Sequence, residues 1–274
     1  MHNLKPLKKK LIEYFKNDWG FPENIDGDSF VDELIEALSS LDGNLRDRLA
    51  FPAFTRIVKS GKVSDEKCRS LYHELITEKY LLKGLGKERD DSVLGRSSFV
   101  YAAWSFLEYD KTIDNRIFGS GELKNFFDIL LKLVREEKDF RGWDETGGWA
   151  SVIANTAGIL ETIVSESSTT HAELLTLMVT IKDKICIDYY RFINGEDHAL
   201  INTVISILNR NLITEAEFSS WVDSFLVLKP SGKSLSETRL SLNMFEFFFV
   251  MRHRFGESNK NLRPYVIDAI VKLF

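Results

Sequence analysis

SLSETRLSLNMFEFFFVMRHRF, residues 234–255, contains the only β-rich candidate in the chain, Phe245 to Met251. Helix formers flank that run on both sides, so the whole stretch reads as one helix from about Ser234 to Phe255. No other segment alternates over four to eight residues in the manner of a half-buried strand. The chain is therefore expected to be all-α, with about twelve helices in antiparallel pairs, because the breaks between periodic runs are short.

Working outward, a last helix is expected from about Asn261 to Phe274, after the loop Pro230 to Lys233. Thr214 with Glu217 spells a capping box for a helix carrying Phe218, Trp221, Val222 and Phe225. Upstream, apolar periodicity places helices at about 197–211, 168–193, 148–165, 121–138 and Ser92 to Lys111. The last of these is apolar on more than one face (Val93, Phe99, Val100, Ala103, Trp104, Leu107), which assigns it to the interior. A helix opened by Ser64, Asp65 and Glu66 carries a stripe through Leu71, Tyr72, Leu75, Ile76 and Leu82 and stops at Gly84. Between about Leu45 and Val58, Pro52 removes a backbone donor, so a kink or a helix restart is expected there. Asp28 or Ser29 opens an earlier run through Phe30, Val31, Leu34, Ile35 and Leu38. Two-helix units of roughly 40 residues approach the period of an irregular α-α superhelix, a HEAT-like solenoid, but no residue signature repeats, and a closed bundle fits equally. No linker divides residues 1–274, which read as one helical domain.

Composition agrees. The 274 residues are 44% hydrophobic and 28% charged, with only five prolines and sixteen glycines, enough to bury a large core and few breakers for long helices. Thirty-six basic against forty-one acidic residues give a net charge of −5 with both signs dispersed, so no field gathers phosphates and nucleic acid is not an expected partner. Lys5, Lys8, Lys9 and Lys10 beside Leu4, Leu7, Leu11 and Phe15 form a short amphipathic helix, read as a solvated face rather than a membrane-surface segment. Lysines interrupt any signal-like run at the start, and no apolar stretch approaches the roughly 20 residues needed to cross a bilayer, so the expected location is cytoplasmic. Cys68 and Cys186 are read as buried thiols without a disulfide.

Three pieces hold polar and small residues beyond what helix packing requires: LDGNLRDRLAFPAF at 41–54, DSVLGRSSF at 91–99 and EKDFRGWDETGGWASVIANTAGIL at 137–160. Together they resemble an uncharacterised bacterial family, domain of unknown function 2785, over at least residues 28–165, with a helical C-terminal part at 166–274. The resemblance implies a third motif of the form Glu-x-Asp-x-Arg-Gly-aromatic followed by Gly-Trp-x-His-x-x-x-His-x-x-Asp. Glu137, Asp139, Arg141, Gly142 and Trp143 match its first half, and Gly148 with Trp149 begin the second. Where the family has His, His and Asp, this chain has Ser151, Asn155 and Gly158. On one helix those positions fall within about 60° of each other, so the family's side chains would share a face able to ligate a divalent metal or move protons. A hydroxyl, a carboxamide and a bare α-carbon do neither with comparable strength, so any such activity is expected to be lost here.

Each remaining polar residue has a structural and a functional reading. Asp47 is read as favouring the positive end of its helix and Arg46 as pairing with a carboxylate elsewhere in the chain, a structural ion pair. Arg96 is either held by a carboxylate such as Asp139 or Glu137, or is a pocket arginine for an anionic ligand. Arg141 is expected to brace its loop on backbone carbonyls. Trp143 and Trp149 are read first as core filler, second as the wall of a groove. His2, His73, His171, His198 and His253 show no metal-ligand spacing, and no nucleophile elbow, Walker loop or dinucleotide glycine pattern is present. The expected function is a non-catalytic module that binds a protein or peptide, with no catalytic residue, metal or cofactor. The alternative is a small-molecule binder or enzyme with a polar pocket of Arg96, Asp139, Arg141, Trp149, Ser151 and Asn155.

Overall fold

The computed structural model describes residues 4–145, 147–228, 230 and 232–273; of the positions discussed above, His2, Ser231 and Phe274 lie outside them. The described residues form an all-α chain with twelve α-helices: α1 Lys5–Lys16, α2 Gly27–Leu38, α3 Phe51–Lys59, α4 Asp65–Leu75, α5 Ser92–Asp110, α6 Ser120–Glu136, α7 Val152–Val164, α8 His171–Ile185, α9 Glu196–Asn209, α10 Glu215–Leu226, α11 Leu235–Arg254 and α12 Arg263–Leu273. A π-helical segment, Asn44–Ala50, leads into α3, and a 3-10 segment, Glu257–Leu262, leads into α12. Two two-residue strands, β1 Trp143–Asp144 and β2 Gly148–Trp149, pair antiparallel with Trp143 opposite Trp149. No helix among the described residues is long and apolar enough to cross a membrane.

The chain divides into two compact units. The first comprises Met1–Ile129 and Glu137–Val152. Its core lies where α2, α3 and α5 meet: Phe30, Val31 and Leu34 from α2, Phe54 and Ile57 from α3, and Val100 and Phe106 from α5 are sealed from solvent, with the Phe54 and Phe106 rings edge to face at 5.4 Å. α5 is interior along most of its length, as its all-round apolar surface predicts. In α1 the apolar residues Leu7 and Leu11 are buried, while Lys8 pairs with Asp42 and Lys10 with Glu33, so part of the basic face meets acids of the same chain.

The second unit comprises Leu130–Glu136 and Ile153–Phe274. Here α10, α11 and α12 pack an aromatic core around Phe225, whose ring lies 4.9 Å from Phe248 and 5.9 Å from Phe247. The Trp221 indole N–H donates to the Met178 carbonyl at 2.8 Å, which ties α10 to α8. The expected strand candidate Phe245 to Met251 lies inside α11, with Phe247, Phe248 and Met251 buried.

Several boundaries differ from the sequence reading, each for a local reason. α2 starts at Gly27 because Asp26, not Asp28 or Ser29, is its cap, with the Asp26 carboxylate accepting from the Ser29 N–H. α4 ends at Leu75, well short of Gly84, since the Thr77 hydroxyl takes the Glu74 carbonyl at 2.7 Å and two left-handed glycines, Gly84 and Gly86, turn the chain that follows. The expected restart near Pro52 takes the form of the π-to-α junction: the Phe51 N–H reaches back five residues to the Arg46 carbonyl, and α3 opens with Pro52 in its first turn. The helix expected over 148–165 begins only at Val152, its first turn replaced by the hairpin.

α8 stops at Ile185 rather than continuing to residue 193, because the irregular stretch after it finds its partners elsewhere. Asn243, fully buried in α11, donates through Nδ2 to the carbonyls of Ile187 and Tyr190 and accepts through Oδ1 from the Phe192 N–H and the Arg191 guanidinium. One carboxamide thus satisfies three backbone groups of the stretch, two carbonyls and one N–H, that a helical continuation would have bonded internally.

Candidate functional site

The polar residues of the three motif pieces up to Ser151 lie in the first compact unit, and most of them build a hairpin platform. Glu137 and Arg96 are both sealed from solvent and joined bidentately, Nε to Oε2 at 2.7 Å and Nη2 to Oε1 at 2.9 Å. Arg96 Nη1 donates to the Lys83 carbonyl at 2.6 Å and the Ser92 hydroxyl at 2.7 Å. Glu137 Oε1 also accepts the backbone N–H groups of Lys138 and Asp139, each at 3.0 Å. Arg96 is thereby the carboxylate-held arginine of the first reading, and its polar groups face protein.

Asp139 and Arg141 make the next layer. The buried Asp139 carboxylate accepts the Asp90 N–H at 3.1 Å and faces the Arg141 guanidinium, with Arg141 Nη2 3.0 Å from Oδ2. Arg141 also donates to the Asp90 carbonyl at 3.0 Å, so the carbonyl it braces precedes α5 instead of lying in its own loop, and against the opposing effect of burial the carboxylates of Asp139 and Asp91 hold its ionisation above the usual arginine range.

The hairpin β1–β2 follows immediately, and Arg46 pins it. This fully buried guanidinium donates to both Asp47 oxygens at 2.8 and 2.9 Å, to the Ser40 carbonyl at 2.8 Å, and to the carbonyls of Gly147 and of Trp149, the latter at 3.3 Å. The close approach requires glycine. Gly148 has φ +80°, and a Cβ there would stand 2.9 Å from Asp47 Oδ2. The partner of Arg46 is its own neighbour rather than a remote acid, and burial pushes the Asp47 carboxyl above the ordinary carboxylate range in spite of that guanidinium.

The platform leaves the tryptophans outside. Trp143 is 61% and Trp149 51% exposed, their rings edge to face at 5.5 Å, which overturns the reading of this pair as core filler. The strand pairing sets both rings on one side of a two-residue ribbon, where they meet edge to face and stay largely open to solvent. They wall a cleft of about 410 Å³ whose other sides come from Asp42, Gly43, Asn44, Asp47 and Arg48 of the π-helical region and from Glu145.

Of the six residues expected to form a pocket, Trp149 lines this cleft. Arg96, Asp139 and Arg141 lie in the supporting layers, and half-buried Ser151 stands one residue before α7, so it does not share a helical face with Asn155 and Gly158. Asn155 belongs to the second unit and is half-buried there. The sequence reading missed Asp42, Arg48 and Glu145. The Gly-Asn and Gly-Gly pairs at 43–44 and 147–148 were the available signals, since both mark chain turned sharply beside a polar run.

Chemistry elsewhere is limited. Burial pushes the thiols of buried Cys68 and half-buried Cys186 up to about 12, so both are weak nucleophiles at neutral pH, and both are free. In the second unit, Asp197, His198 and Glu246 bring one ligand atom each within 4.8 Å of one another, a grouping that the spacing of the histidines does not reveal because Glu246 lies on α11 and the others open α9. Glu246 is already paired with Arg191, and the Asp197 carboxylate caps the His198 N–H at 2.9 Å.

Residues 81–251 match the profile of a family described as Protein of unknown function (DUF2785), so the second and third motif pieces fall within the matched range and the first lies before it. No curated protein and no solved structure matches the chain. With well over half of its length matched, the chain belongs to the DUF2785 family.

Proposed function

We propose that this protein is a non-catalytic binding module that holds a peptide segment of a partner protein in the Trp143–Trp149 cleft. The observation that carries the reading is the tryptophan pair itself, two large rings left more than half exposed on a ribbon whose support is buried and fully hydrogen-bonded. Rigid aromatic side chains on a preorganised base bind with little ordering cost and dominate peptide interfaces. The ring faces attract cations and Glu145 is an acid on the cleft wall, which favours a segment bearing a basic side chain, while Asp42 and Asp47 are already paired with Lys8 and Arg46. Against catalysis stand the replacements at 151, 155 and 158 and the raised thiols. A cytoplasmic setting is supported by two cysteines kept as free thiols.

A small polar molecule is the second reading, favoured by a cleft volume within the range of roughly 300–1,000 Å³ typical of ligand sites. Selection from a random peptide library, followed by titration of the enriched peptides with tryptophan fluorescence as the readout, separates the two. A basic consensus whose affinity falls about tenfold or more in Trp149→Ala, with the melting temperature unchanged, is the expected result. Enriched peptides that bind Trp143→Ala and Trp149→Ala as well as the parent would sink the proposal, and hits confined to a metabolite screen would favour the second reading.

A further inference from the structure

The second unit carries a concavity of a different character. Two basic residues near the end of α11, Arg252 and His253, and the first residue of α12, Arg263, line a hollow of about 220 Å³ with no carboxylate among its described lining residues. Their donors are largely unused. Arg263 Nη2 donates to the Phe255 carbonyl at 2.7 Å, which fixes the guanidinium plane, but its Nε is closed off from solvent and has no hydrogen-bond partner. That sealed donor is a standing cost to the fold, and Nη1 is left as the guanidinium nitrogen with no hydrogen bond to a described residue. His253 commits Nδ1 to the Phe249 carbonyl at 2.7 Å, which leaves Nε2 as the ring's remaining polar atom. Arg252 is exposed, with no ion pair or hydrogen bond to any described residue. The acids nearest in sequence are engaged elsewhere, Glu257 with Lys260 and Asp268 with Lys272.

We infer that this hollow binds a phosphoryl group. Two guanidinium forks and an imidazole exceed what one carboxylate can neutralise, whereas a phosphate monoester brings about two negative charges and three acceptor oxygens in a compact tetrahedron. The volume admits such a group with part of its ester. The inference is independent of the tryptophan cleft, which lies in the other compact unit. The same chemistry occurs in soluble phosphomonoesters and in anionic lipid headgroups; the proposal is for the soluble source, and binding to vesicles distinguishes the other.

Titration calorimetry of the full chain with inorganic phosphate and with glycerol phosphate, at fixed ionic strength against sodium chloride, tests this. Saturable one-to-one binding is expected, with a shift of the Arg263 Nε–H resonance in NMR spectra as phosphate is added. Arg252→Gln should weaken binding roughly tenfold or more, the loss of one charge-assisted contact, and leave the melting temperature in place because Arg252 is exposed and makes no hydrogen bond or ion pair with any described residue. If Arg263→Gln does not fold, Arg252→Gln and His253→Gln still decide the matter. Absence of saturation, affinity indifferent to both of those variants, or association only with vesicles of anionic phospholipid would each overturn the proposal.

Discussion

Replacing Arg96 with Met removes the guanidinium at the centre of the hairpin's support while keeping a long apolar side chain in its place. The parent side chain is wholly buried and makes four short contacts: two to Glu137, one to the Lys83 carbonyl and one to the Ser92 hydroxyl. Its loss strands a buried carboxylate, and breaking one partner out of such a pair costs about 3–5 kcal/mol. The Lys138 and Asp139 N–H groups stay on Glu137 and hold the figure toward the lower end, about 3–4 kcal/mol. At about 2–4 °C per kcal/mol for a chain of this size, the melting temperature should fall by about 6–16 °C. Adding Glu137→Leu removes the stranded charge and should return part of that loss, leaving mainly two unaccepted backbone donors. Urea titration followed by far-UV circular dichroism measures both variants. A single variant within about 1 kcal/mol of the parent, or a double variant no more stable than the single, would refute the assignment of Arg96 as a buried structural cation.

Two further expectations follow from the geometry. Gly148→Ala combines a left-handed backbone with a Cβ 2.9 Å from Asp47 Oδ2, so it should destabilise the first unit by about 1–2 kcal/mol and shift the tryptophan emission as the hairpin lifts, as fluorescence-detected urea titration would reveal. Burial raises the Glu196 carboxyl above its ordinary value, so ionisation costs the fold: the stability gained from the protonated form is full below the unfolded carboxylate range and is lost as pH rises through the folded value. Glu196→Gln keeps an acceptor for the Asn194 N–H and removes that loss, so the stability of the variant relative to the parent should increase from acidic to neutral pH; a constant or shrinking difference in paired urea titrations would contradict it.

What the sequence made legible was what neighbouring residues decide among themselves. Thr214 and Glu217 form the capping box in full, Ser64 caps α4, and Pro52 marks the change of helical type. The all-round apolar surface of α5 correctly announced an interior helix. What escaped was decided by partners far along the chain. Residues 186–193 look helical until Asn243 is known to hold their backbone, and Trp143 and Trp149 look like core until Arg46 is known to pin the hairpin that carries them outward. The arginine–carboxylate layers were legible as pairs, whereas the cleft beside them was not, because its walls are drawn from stretches roughly a hundred residues apart that no local pattern joins.

The Asn243 carboxamide also has a consequence for the order in which the molecule comes together. A ribosome releases residues 187–192 some fifty residues before the side chain that will receive their amides and carbonyls. Until α11 emerges and docks, the carbonyls of Ile187 and Tyr190 and the N–H of Phe192 lack the carboxamide that receives them. The ordering of residues 187–192 therefore waits on an amide group that arrives late in synthesis, however early the surrounding helices have coiled.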